Sequence, residues 1–188
     1  APSVTPEPSD SKFTDLEGYE WAQKEIDSLS ERGIVKGITD TTFSPEANIK
    51  RADFVLLLMR ALEMEGTATA DFEDVAQGDY YYEAVSAART LGIVMGGPDN
   101  RFRPEESITR EDMMVMTTRA LQALSKIEIT EPDGKLGDDN QISDYAKQSV
   151  YALVAAKIVT GDDLGNVNPK SPTRRAEAAV IIYRILGS

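Results

Sequence analysis

Apolar residues recur along the chain in two helical registers, three times over. The clearest runs are Phe54, Leu57, Leu58, Ala61, Leu62; then Met113, Met116, Thr117, Ala120, Leu121; then Ala178, Ile181, Ile182, Ile185, Leu186. Each follows i, i+3, i+4, i+7, i+8, a single stripe on an α-helix. Ahead of each lies a weaker pattern of similar length: Ala22, Ile26, Leu29; Tyr81, Val85, Ala88; Ala146, Val150, Leu153. A loop of about ten residues, carrying a Gly, an aromatic or Val and a Pro, joins the two in each copy. The pattern predicts an all-α protein made of three helix-loop-helix units.

The units are copies of one another. "FTDLEGYEW" at 13 recurs as "FEDVAQGDY" at 72, and "FSPEANIKRADF" at 43 recurs as "FRPEESITREDM" at 102, both 59 residues on. A weaker third copy, "VNPKSPTRRAEA", begins at 167. The repeats superimpose Trp21, Tyr80 and Tyr145; Gly37, Gly96 and Gly161; Pro45, Pro104 and Pro169; Arg51, Arg110 and Arg175; and Arg60, Arg119 and Arg184. We delimit them as 13–63, 72–124 and 136–186, with polar connections at 64–71 and 125–137 and a Pro-rich segment at 1–12. A unit of this size is marginal alone, so the three are expected to bury their stripes against one another as one composite domain, 13–186. The terminal segment "APSVTPEPSD" suits a linker or a mature end left by cleavage, and the end at "RILGS" suits a fragment of a longer protein.

Composition narrows the chemistry. Thirty-two acidic against 20 basic side chains give a net charge of -12, which opposes binding to nucleic acid or to an anionic membrane surface. Any anion must therefore meet a local group of basic side chains. Without Cys or His there is no thiol catalysis, no disulfide, and neither the commonest general base nor the usual transition-metal ligands. The longest strongly apolar run, "FVLLLM" at 54, is far short of a membrane span. The acid clusters "GDDN" at 137 and "GDDL" at 161 lie in expected loops and read as solvated surface rather than a glycosidase pair. No calcium loop of the D-x-[DN]-x-[DN]-G type is present. We expect no enzyme, no cofactor and no metal site.

Capping does not explain one feature. Lys50 and Arg51 open the second helix of the first copy, where the helix carries roughly +0.5 of a charge and a cation costs on the order of 0.3–1 kcal/mol. In the second copy Thr109 and Asp112 account for the helix start as a cap and a dipole partner. Lys50 and Arg174 stand at the Thr position and cannot cap, yet Arg51, Arg110 and Arg175 persist. Their helical neighbours at i+3 and i+4 are all uncharged, so each needs a carboxylate from elsewhere in the fold or an external anion. For the latter, the guanidinium fork suits bidentate capture of a carboxylate beside free helix N–H groups. Trp21, Tyr80 and Tyr145 are core residues or stacking surfaces for a sugar ring. Gly37, Gly96 and Gly161 admit a ligand close to the backbone, end the first helix or supply a positive φ.

These residues resemble a known family. "F-x-D" before an aromatic-Ala helix, "G-I-V-x-G", "F-x-P" and then "I-T-R-x-D" or "K-R-A-D" are similar to the S-layer homology (SLH) domain in its triple form, over residues 13 to 186. Copy three departs from it, with Val167 for Phe, Lys157 where "G-I" would begin, and Arg174 at the Thr position. The resemblance implies a pseudo-threefold helical unit with a central bundle, anchoring a secreted protein non-covalently to the wall of a Gram-positive bacterium. It implies grooves between repeats that hold secondary cell wall polysaccharide, commonly through a terminal N-acetylmannosamine bearing a pyruvate ketal. Its carboxylate would meet Arg51, Arg110 and Arg175, with Trp21, Tyr80, Tyr145, Asp15 and Asp74 as groove walls beside Gly37, Gly96 and Gly161. The alternative is a helical module contacting other S-layer subunits in a self-assembling layer.

Overall fold

The computed structural model describes residues 11–69, 72–129 and 131–187, so most of the Pro-rich segment and parts of both connections lie outside the described residues. Among the described residues six helices appear in the expected order: α1 (Glu20–Glu31), α2 (Arg51–Ala61), α3 (Tyr82–Thr90), α4 (Arg110–Ala123), α5 (Lys147–Ala155) and α6 (Arg175–Leu186). A 3-10 turn, Asp139–Gln141, precedes α5, and no strand forms among the described residues.

The connection inside each repeat is longer than the pattern suggested, running over 32–50, 91–109 and 156–174. Gly33 (φ +70°) and Gly92 (φ +75°) end α1 and α3 in the left-handed conformation, which glycine adopts without a Cβ penalty. Lys157 takes the same conformation after α5 (φ +58°). The helix-ending glycine is thus the first of "G-I-V-x-G", and Gly37, Gly96 and Gly161 serve another purpose.

Packing explains the length. The first helix of each repeat lies against the second helix of the preceding one, α3 on α2, α5 on α4 and, closing the ring, α1 on α6. At the centre α2 also touches α4 and α6. The second helices are consequently buried on more than the single predicted stripe: Ala52, Val55, Met114, Val115, Ala179 and Val180 are buried along with Phe54, Leu58, Met113 and Ile182. Full burial of one such aliphatic or aromatic side chain contributes about 1.5–3 kcal/mol, so the ring of interfaces supplies the core that one repeat lacks.

Three extended segments just ahead of α2, α4 and α6 close a triangle of antiparallel bridges: Asn48 with Arg174, Lys50 with Ser107, and Thr109 with Pro172. Its inner hydrogen bonds form a cycle in which the Ile49 amide donates to the Thr173 carbonyl (2.9 Å), Thr173 to Ile108 (2.9 Å), and Ile108 back to Ile49 (3.0 Å). All three residues are buried, so the cycle fixes the starting points of the three central helices relative to one another.

Candidate functional site

The triangle settles where the arginines go. At each helix start the first two amides donate to a neighbouring repeat: Arg51 to Glu106 O and Ala52 to Pro104 O, Arg110 to Ser171 O and Glu111 to Pro169 O, Arg175 to Ala47 O and Ala176 to Pro45 O, at 2.8–3.1 Å. The free amides expected to assist an anion are therefore already engaged, and the three prolines lend their carbonyls as receptors for them. Thr109 caps α4 through the Asp112 amide (3.3 Å). Lys50 reaches Glu105 (2.5 Å) instead of capping, and the Arg174 amide donates to Glu177 Oε2 (2.8 Å).

Each arginine crosses into the neighbouring repeat. Arg51 Nε donates to Phe102 O (3.0 Å) and its Nη1 to Asp112 Oδ2 (2.6 Å). Arg110 repeats this with Val167 O and Glu177 Oε1, both at 2.8 Å. Arg175 donates from Nε to Phe43 O and from Nη2 to Lys36 O, each at 3.0 Å. It forms no ion pair among the described residues. The internal partner left open by the sequence thus exists for two of the three, on a helix of the next repeat. The guanidinium groups of Arg51 and Arg175 also lie over the Phe102 and Phe43 rings, 5.1 and 4.8 Å from the centroids.

Asp53, Asp112 and Glu177 each stand two residues after one of these arginines. Two of them also receive the aromatics: Tyr80 Oη donates to Asp53 Oδ1 (2.6 Å), and Tyr145 Oη to Asp112 Oδ1 (2.8 Å), with Glu111 Oε1 a further acceptor for Tyr145 at 3.1 Å. Burial and these carboxylates push both tyrosine hydroxyls well above their ordinary pKa. Trp21 occupies the matching position on α1, the helix packed on α6. With 53%, 64% and 58% of their surfaces exposed, Trp21, Tyr80 and Tyr145 are surface residues, not core.

The result is a cleft design drawn from three repeats at once. In one cleft Arg51 meets Gly96, Asp112, Arg119 and Tyr145 around about 520 Å³. In another Arg175 meets Lys36, Phe43, Asp53 and Arg60 around about 250 Å³, with Tyr80 held to Asp53 at its edge. Arg60, Arg119 and Arg184 donate to the Ile34, Ile93 and Ile158 carbonyls (3.3, 3.4 and 3.0 Å), so each stays within its own repeat and holds the turn after the first helix.

The remaining predicted residues act behind the clefts. Both carboxylate oxygens of Asp15 accept backbone amides, from Phe43 (2.9 Å) and Ser44 (2.7 Å), and those of Asp74 accept from Phe102 and Arg103 (2.8 Å each). These bonds fix Ser44 and Arg103 at positive φ. For Asp74 burial raises the pKa but the two amides outweigh it, leaving the carboxyl below its usual value. Asp138 does the same for Val167 (3.0 Å) and Asn168 (2.7 Å) and is buried, which corrects the expectation that "GDDN" is solvated surface. Gly37 and Gly96 are required by close packing, since a Cβ would fall 2.6 Å from the Phe13 ring and 2.5 Å from the Phe72 ring. At Gly161 the close neighbour is the Asn166 carbonyl, 3.1 Å away. Glu111, which the repeat comparison passed over, is buried and gathers Ser143, Tyr145 and Lys170.

The S-layer homology domain model matches three times, at residues 12–55, 71–114 and 135–179. The chain belongs to the SLH family. Among its relatives are an amylopullulanase of Thermoanaerobacterium thermosulfurigenes, 37% identical over 94% of this chain and 10% of the enzyme. A surface-layer 125 kDa protein of Lysinibacillus sphaericus is 27% identical over 93% of this chain and 14% of that protein. A cellulosome-anchoring protein of Acetivibrio thermocellus is 29% identical over 58% of this chain and 26% of that protein. The chain thus spans about a quarter or less of each of these three. SLH domains anchor proteins to the cell wall and are not catalytic. The enzymes among the relatives share only this small part of their length with the chain.

Proposed function

We propose that this SLH unit holds its parent protein at the cell wall by binding the pyruvylated N-acetylmannosamine terminus of secondary cell wall polysaccharide in the clefts between repeats. The observation that supports this reading most directly is the recurrence, in clefts of a chain of net charge -12, of an inward arginine beside an exposed aromatic. The arginine offers a fork to a carboxylate, and the aromatic offers an apolar face to a sugar ring. Sites repeated on one chain engage several polymer ends and raise avidity without any tight single site. Gram-positive walls carrying such a polymer are the proposed setting.

The test is co-sedimentation with purified wall sacculi. The chain is expected to pellet with native sacculi and to stay in solution once the wall polymer is extracted or its pyruvate ketal removed. Undiminished pelleting with stripped walls rules out this ligand.

A further inference from the structure

We propose that the cleft around Arg175 is the one that takes the anionic terminus first, and that Asp112 and Glu177 are built-in competitors that hold Arg51 and Arg110 back from it. This rests on the ligand reading above and adds which cleft works and why.

Three equivalent arginines face three equivalent acids, but the pairing is broken once. Arg51 is neutralised by Asp112 at 2.6 Å and Arg110 by Glu177 at 2.8 Å. Asp53, the third acid, instead holds the Tyr80 hydroxyl at 2.6 Å, while the hydrogen bonds of Arg175 among the described residues go to carbonyl oxygens, through Nε and Nη2. Burial depresses the Arg175 pKa, with Asp53 and Asp15 compensating from a distance. A half-buried cation without a direct counter-charge is the site where an incoming carboxylate gains most.

At Arg51 and Arg110 a ligand carboxylate must displace the protein's own from the guanidinium, whereas at Arg175 the nearby Asp53 is already bonded to Tyr80 and need not move. By volume alone the Arg51 cleft is the better host, and Arg101 and Arg103 line it too. Arg103, however, is already paired with Asp99 and Glu106. The Arg175 cleft adds exposed Lys36, whose repeat counterparts, Met95 and Thr160, are uncharged. What sets the Arg175 cleft apart is a guanidinium with no carboxylate bonded to it among the described residues, and for an anionic ligand that outweighs size.

Isothermal titration of the intact chain with the pyruvate ketal of N-acetylmannosamine is expected to show one site. Arg175→Gln should weaken it at least tenfold, and Lys36→Gln, a change at an exposed side chain, roughly threefold. Asp112→Asn keeps a partner for Tyr145 while removing the competing charge, and should raise the stoichiometry toward two. Saturation of the wild-type chain at two or three sites, Arg175→Gln and Lys36→Gln both binding within twofold of wild type, or Asp112→Asn leaving a single site would each overturn the assignment while leaving wall binding intact. Failure of the wild-type chain to bind the ketal, with sacculus pelleting unaffected by ketal removal, overturns the ligand reading and this inference together.

Discussion

The clefts around Arg175 and Arg51 are built from the same repeat positions, yet among the described residues one arginine lacks a carboxylate partner and the other has one. In the Arg51 cleft Tyr145 binds both Asp112 and Glu111, and the second oxygen of Asp112 serves the arginine. In the Arg175 cleft Ala52 stands where Glu111 stands in the next repeat, and Tyr80 has Asp53 alone. Equivalent side chains thus carry different duties because one neighbour differs. A repeat motif specifies the parts of a cleft, whereas the non-repeated residues specify its charge.

Removing Glu111 should have the largest effect on this contrast. Glu111 accepts from the Ser143 amide and hydroxyl (3.0 and 2.9 Å) and from Lys170 (2.5 Å), which also contacts Ser143. Burial alone would raise its pKa, but Lys170 and Ser143 outweigh that and leave it lowered. Glu111→Ala, the residue natural to Ala52 and Ala176, should cost about 2–3 kcal/mol, because charged hydrogen bonds are lost and the Ser143 amide is stranded. A fall in the urea midpoint at constant m checks it. A carboxyl with a lowered native pKa stabilises fully above its unfolded value of 4.5 and loses that contribution as pH falls through the native value. Wild type should therefore lose stability on acidification below about pH 4.5 more steeply than Glu111→Gln.

A smaller effect is expected at Tyr80. Tyr80→Phe releases Asp53 to turn to Arg175 and should give the open cleft the pairing seen in its neighbour. Titration with the pyruvylated sugar should then show about a tenfold loss, near 1.4 kcal/mol. The matching change Tyr145→Phe frees an acid that is already paired with Arg51, and should alter affinity much less. Equal losses would mean that the tyrosines act as stacking surfaces alone, and the comparison of the two clefts would lose its basis.

Sequence carried the helices, because a period of 3.6 is local, and the repeat, because identity at a fixed offset is local too. It did not carry the arginine partners. Asp112 lies 61 residues from Arg51, and Glu177 lies 67 from Arg110. Inspecting i+3 and i+4 on one helix could not find carboxylates that arrive from the next repeat. The signal was nonetheless present, since Asp53, Asp112 and Glu177 share the offset of the arginines, and Asp15, Asp74 and Asp138 each end an apolar-x-Asp triplet at the start of a repeat. The third of these hid because Leu136-Gly137-Asp138 lacks the Phe of the other two copies and lies one residue further from its aromatic, Tyr145. Whether an aromatic faces the core or water was equally hidden, since periodicity places Trp21, Tyr80 and Tyr145 at helix starts without saying which neighbours cover them.

The smallest effect tests the frame that holds both clefts. Two corners of the central triangle are Ile49 and Ile108, and the third is Thr173, whose buried hydroxyl has no hydrogen-bond partner among the described residues. Its backbone already serves Ile49 and Ile108, so the side chain supplies only shape and a desolvated hydroxyl. Thr173→Val keeps the shape and removes the hydroxyl, and should stabilise the chain by about 1 kcal/mol. Because Thr173 leads directly into Arg174 and Arg175, the same variant asks whether the open cleft depends on a loosened corner. If charge alone distinguishes the clefts, thermal unfolding should shift upward while affinity for the pyruvylated sugar stays within twofold of wild type. A stabilised variant that also loses binding would place the difference in the backbone ahead of α6, not in the pairing of Asp53 with Tyr80.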